Sequence, residues 1–141
     1  MIMKNLKNFN LLVVIALLIS GSFILMSMKS RVVEDWPVPA KYKNMKNSYA
    51  DKKDVDKIGK DLYTQHCKSC HGKEGYGDGN KAGELETEMR DFTTEDVQSQ
   101  TDGELYYKSI IGRDEMPNFE KKIPGEEDRW LMINYIRTLE E

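Results

Sequence analysis

Cys67-Lys68-Ser69-Cys70-His71 contains both cysteines of the chain and one of its two histidines. Two thiols at i and i+3 on a helix end can add to the two vinyl groups of one haem, and the next residue then presents an imidazole to the iron. Attachment and ligation thus share one turn. Other uses of the pair fit worse. A thioredoxin-type Cys-x-x-Cys follows a strand inside a βαβ unit, whereas a helical pattern precedes Cys67. A structural zinc site needs ligands that are absent, and two cysteines this close make no disulfide scaffold.

Upstream, Val55, Ile58, Gly59, Leu62 and Tyr63 fall at i, i+3, i+4, i+7 and i+8, one apolar helical face. Asp54 is the expected N-cap. Downstream, Gly72, Gly75, Gly77, Gly79 and Gly83 make up half of the ten glycines, a loop whose backbone can approach something flat or bulky. Gly77-Asp-Gly79-Asn-Lys-Ala82 fits G-x-G-x-x-A, but no strand leads into it, and an EF-hand reading from Asp78 fails with Ala82 and Met89 at ligand positions. Thr101-Asp-Gly-Glu104 predicts a capping box and a helix through Leu105 to Ile111, ending at Gly112. A third helix is expected after Pro124-Gly125, with Glu126, Glu127 and Asp128 favourably placed at its positive end. Its core face is read as Met132, Tyr135, Ile136 and Leu139, with Trp130 on the flank. No alternating strand and no internal repeat appears. Three short helices and a glycine loop leave the domain short of core, and a large apolar cofactor would fill the gap.

The second iron ligand follows by elimination. His66 adjoins the attachment turn on the proximal side of the ring and cannot reach its opposite face, so it is read as a partly exposed helix residue. Sulfur is then the expected donor. Met45 lies in the segment before the first helix, Met89 ends an acidic stretch, and Met132 sits on a packing face. Met116 alone lies in a loop between helices, stiffened by Pro117.

The chain has 141 residues and 16.3 kDa, with hydrophobic residues at 39% and charged residues at 32%, enough for one domain and an accessory segment. The net charge of −3 is divided unevenly. Lys4, Lys7 and Lys29 face no acid in residues 1–30, which leaves 18 basic against 24 acidic residues, or −6, on residues 31–141. Such a balance excludes a generic nucleic-acid binder. Lys4 and Lys7 precede an apolar stretch from Leu11 to Met28, so residues 1–29 are a signal peptide or an uncleaved membrane anchor. Cleavage at Ser20-Gly-Ser22 would expose Phe23-Ile-Leu-Met26, which favours the anchor. Either form places the remainder outside the cytoplasm, on the periplasmic side of a bacterial inner membrane. Residues 30–53, with Trp36-Pro-Val-Pro39, form an extended tether or a strap, and residues 54–141 the domain. Residues 84–104 hold eight acids against Arg90 and are read as a solvated loop rather than a docking patch for a basic partner.

Over residues 54–139 the sequence resembles the class I cytochromes c. The resemblance rests on Gly59 with Tyr63, on Cys67-Lys-Ser-Cys-His-Gly72 followed by Gly75-Tyr-Gly-Asp-Gly79, on Gly112-Arg113 to Met116-Pro117, and on Asp128-Arg-Trp130 with Tyr135-Ile-Arg137. It implies an all-α fold of three to five helices around one covalent haem c. The same resemblance makes Cys67 and Cys70 the thioether residues, His71 the proximal ligand and Met116 the distal ligand. One departure stands out: no proline lies between Pro39 and Pro117 to offer the usual carbonyl to the histidine Nδ1, so another backbone carbonyl is expected to fix the tautomer. A His/Met iron has no open position for a small-molecule substrate, which points to a non-enzymatic one-electron carrier between redox proteins, such as a membrane oxidoreductase or terminal oxidase. The alternatives are a fixed cytochrome c subunit of a larger respiratory complex, and a haem peroxidase or gas sensor with an exchangeable sixth ligand.

Overall fold

The computed structural model describes residues 36–140. The expected leader or anchor, 1–29, and the start of the tether lie outside the described residues. Among those described, no helix is long and apolar enough to cross a membrane.

Asp54 opens the domain as its charge predicts, though not from the expected position. Its two carboxylate oxygens accept from the backbone N–H of Ile58 and Gly59 at 2.7 and 2.8 Å. The helix itself starts at Ile58, because Lys57 takes a left-handed conformation with φ 59° and breaks the turn before it. Val55 is therefore not on the apolar face; it is 82% exposed. Helix α2 (Ile58–His66) follows a single-turn α1 (Ala40–Lys43) and leads into the one-turn α3 (Lys68–His71). A 3₁₀ turn (Ala82–Glu84) and one-turn α4 (Glu95–Gln98) punctuate the long loop. Helix α5 (Asp102–Tyr106) carries the expected capping box: Thr101 Oγ1 accepts from the Glu104 amide while the Glu104 carboxylate accepts from the Thr101 amide. It continues as a π-helical segment, Tyr107–Ile111, that stops at Gly112, and α6 (Glu126–Arg137) closes the chain. The described residues are thus helical, and their one extended pairing is an isolated antiparallel bridge between Arg113 and Met116.

Helices α2 and α6 make the most extensive contact. They cross at Gly59, where a Cβ would stand 2.1 Å from the Leu131 carbonyl oxygen, so only glycine lets the backbones meet. Tyr63 packs one turn further on, its ring 5.2 Å from that of Tyr135, and its hydroxyl donates to the Gly72 carbonyl at 2.9 Å. Tyr63, Ile110, Ile123, Trp130, Met132 and Ile136 are almost completely buried. Trp130 is therefore a core residue rather than a flanking one, stacked obliquely on Tyr106 at 4.6 Å, while Tyr135 and Leu139 are only half-buried. A single stripe was expected on α6; the helix buries Trp130 to Ile133 in succession because it is covered from more than one side.

Part of that cover comes from residues 37–50, within the segment expected as a tether or strap. Val38 is buried, and the Tyr42 ring lies 4.7 Å from Tyr107 and 6.5 Å from Tyr106. Asn47 Nδ2 donates to Asp102 Oδ2 at 3.1 Å and to Asn134 Oδ1 at 2.7 Å, and Asn134 donates to the Tyr49 carbonyl at 2.8 Å. Arg137 completes the junction by donating to Asp102 and to the carbonyls of Gln98 and Gln100.

Candidate functional site

Cys67, Cys70 and His71 sit together because α2 turns directly into α3. The His71 amide donates to the Cys67 carbonyl at 2.9 Å and the Cys70 amide to the same oxygen at 3.1 Å, which puts both thiols and the imidazole on one turn. The glycine loop backs onto this turn. The Gly79 amide donates to the Cys70 carbonyl at 3.1 Å and the Lys81 amide to Ser69 at 2.8 Å, while the Gly77 amide donates to His71 at 2.9 Å.

Both thiols are free; Cys67 is buried and Cys70 half-buried. Burial pushes the Cys67 thiol up to about 12, with Cys70 adding to the effect, and its Sγ lies 3.9 Å from Met132 Sδ. The His71 imidazole is 7% exposed, and burial pushes its pKa down to about 4. The ring is neutral at pH 7 and keeps a lone pair free. The Arg90 backbone pulls more weakly the other way. Neither ring nitrogen, however, makes a hydrogen bond of ordinary geometry among the described residues. Buried polar atoms without a partner are rare and point to a missing ligand. Two free thiols and an unpartnered, buried imidazole on a single turn are the donor set that covalent haem c requires, so the residues fit that group.

Met116 is half-buried against the core on the turn that follows the π-helical segment. Gly112 takes φ 69° there, and a Cβ on it would stand 2.2 Å from the Met116 carbonyl oxygen. The Met116 amide donates to the Arg113 carbonyl at 2.8 Å, closing the turn. Arg129 holds the chain beyond it, donating to the carbonyls of Glu120, Ile123 and Pro124 and to the Tyr106 hydroxyl. His66 is half-buried beside Phe119, ring centroids 5.5 Å apart, with burial and then Lys122 lowering its pKa.

One contact had no sequence signal. Phe92 stacks on His71 with ring centroids 4.3 Å apart and planes at 20°, and its amide donates to the Gly75 carbonyl at 2.7 Å. It lies inside the acidic stretch that was expected to be a solvated loop. That stretch is partly built into the structure. Asp96 pairs with Arg90 and Asp102 with Arg137, Asp91 Oδ1 accepts from the Thr93 amide and hydroxyl, and Glu104 caps α5.

No curated protein matches the chain significantly. A family model described as "Cytochrome C oxidase, cbb3-type, subunit III" matches residues 54–136, more than half of the chain and nearly all of the helical body, with the attachment turn inside it. On that match and on the donor set of its attachment turn, the chain belongs to this family of c-type cytochrome domains, with covalently bound haem c as its cofactor.

Proposed function

We propose that the protein is a one-electron carrier in which Cys67 and Cys70 would hold the haem through thioethers and His71 and Met116 would bind its iron. The observation that carries this reading is the buried His71 imidazole, neutral and without a partner, on the same turn as both thiols. Haem c bound there takes up and releases a single electron. Phe92 stacks on the imidazole and limits its rotation, while burial keeps the ring neutral, so that one of its nitrogens could bind the iron. Met116, on a turn pinned by Gly112, would supply its thioether as the second ligand. With His71 and Met116 both given to the iron, the chain would leave it no open position for a substrate, which supports electron transfer over catalysis.

Residues 1–29 anchor the chain to the membrane, and the domain works on the periplasmic side of a bacterial inner membrane with membrane redox proteins as partners. Tethering raises the effective concentration of those within reach. The family description favours a second reading, a fixed cytochrome c subunit of an oxidase complex. Purification from native membranes separates the two: stoichiometric retention in such a complex supports the fixed subunit, and release as a single chain supports the mobile carrier.

The ligand assignment is tested by near-infrared spectra of oxidised wild type and Met116→Ala. A sulfur-to-iron charge-transfer band present in wild type and lost in the variant is expected, together with inertness of the reduced protein to CO. Absence of the band, or CO binding by wild type at neutral pH, overturns the assignment in favour of a peroxidase or gas sensor.

A further inference from the structure

Glu115 stands one residue before Met116, and its side chain leaves the turn to reach a segment almost thirty residues upstream. Its Oε1 accepts from the Glu86 amide at 3.1 Å and its Oε2 from the Thr87 amide at 2.8 Å. Both carboxylate oxygens are thus committed to two consecutive backbone N–H groups, an arrangement stronger than a neutral pair. No strand or helix links these two stretches. The upstream stretch is the one that runs on through Met89, packed on Gly77, to Phe92, which stacks on His71. Glu115 therefore joins the loop carrying Met116 to the loop covering the His71 side.

Charge alone does not explain this placement. Glu84, Glu86 and Glu88 already make the upstream stretch acidic, and a further carboxylate is repelled there unless its bonds to the amides outweigh the repulsion. The backbone of the turn closes through the Arg113–Met116 bridge and, at its base, through the Phe119 amide donating to the Ile110 carbonyl at 2.8 Å, but Asp114 is left-handed at φ 48°, a conformation that costs about 1 kcal/mol for a residue with a Cβ. That strain favours opening of the turn, and the Glu115 carboxylate opposes it.

We propose that Glu115 is a positioning residue whose carboxylate, bonded to the Glu86 and Thr87 amides, holds the Met116 thioether in place as an iron ligand. The inference rests on the Met116 reading above and goes beyond it by naming what fixes the ligand loop.

The test uses the full-length holoprotein as wild type, Glu115→Ala, Glu115→Gln and Met116→Ala. Three quantities are read: the sulfur-to-iron charge-transfer band, the affinity of the oxidised protein for added imidazole, and the hydrogen-exchange rates of the Glu86 and Thr87 amides. In Glu115→Ala, both amides exchange roughly tenfold faster and imidazole binds roughly tenfold more tightly, the scale of losing charge-assisted hydrogen bonds at an accessible site. Glu115→Gln keeps one acceptor oxygen and falls between alanine and wild type, with the melting temperature held close to wild type. A general loss of packing would lower the melting temperature without this graded response. If Met116→Ala loses the band while Glu115→Ala keeps wild-type imidazole affinity, the positioning role is overturned and the ligand assignment stands. If Met116→Ala keeps the band, the ligand assignment fails and the proposal fails with it.

Discussion

Replacing Gly59 by alanine tests whether the α2–α6 crossing sets the stability of the domain. In most helices Gly→Ala is favourable by about 1 kcal/mol. Here the new Cβ would stand 2.1 Å from the Leu131 carbonyl oxygen and 2.6 Å from its carbon. Both are backbone atoms of α6, so no side chain can rotate away and the helices must part by about 1 Å. A gap of that size forfeits a quarter to a half of each dispersion contact across the seam, where Tyr63, Trp130, Met132 and Ile136 are packed. Overpacking costs about 3 kcal/mol when backbone must move, which leaves a net loss of about 2 kcal/mol after the helix-propensity gain. For a domain near 100 residues the melting temperature falls by roughly 10 °C. The matched control is Gly83→Ala, whose Cβ meets nothing within 4 Å and whose φ is ordinary, so stability changes by under about 1 kcal/mol, in the favourable direction. Thermal melts of both holoproteins, followed by far-UV circular dichroism, decide the matter. A Gly59→Ala protein melting at or above wild type would refute the argument that backbone contact at this crossing limits the fold.

Three further outcomes follow from individual contacts. Gly112→Ala forces a Cβ residue to φ 69° and places it 2.2 Å from the Met116 carbonyl; near-infrared spectra should show a weakened or lost charge-transfer band, with about 3 kcal/mol less stability in urea. Arg137→Ala removes donors to Asp102, Gln98 and Gln100 at once and leaves part-buried acceptors short of partners, so urea unfolding should report a loss of about 2 kcal/mol. Burial, ahead of the charges around it, raises the Tyr63 phenol above its ordinary value of 10. The folded state therefore holds this proton more tightly than the unfolded one. Its contribution is fully present below pH 10 and is lost above that at about 1.4 kcal/mol per pH unit. Melts between pH 8 and 11 should show Tyr63→Phe losing less stability with alkali than wild type, and equal slopes would refute the assignment.

The attachment turn was legible because Cys67, Cys70 and His71 act through local spacing, which a helical turn converts directly into geometry. Capping was equally local: Thr101 and Glu104 lie three residues apart, and their reciprocal bonds depend only on that interval. Gly59 and Tyr63 could be paired with the last helix only through the resemblance to the class I cytochromes c, whose small-and-aromatic pair packs there. Contacts between distant segments carried no such mark. The stacking of Phe92 on His71, the reach of Glu115 to the Glu86 and Thr87 amides, and the Asn47 links to Asp102 and Asn134 join stretches from 21 to 87 residues apart.

Periodicity misplaced Val55 and Trp130 for a related reason. A helical stripe assumes an unbroken helix with one covered side, whereas Lys57 breaks the first helix and residues 37–50 help to cover the last from a second direction. Residue spacing alone thus determined the haem-binding chemistry and the helical class, since both depend on neighbours along the chain. Only the tertiary structure decided which loops meet at His71 and Met116, because those meetings depend on side chains that become neighbours only after the helices pack.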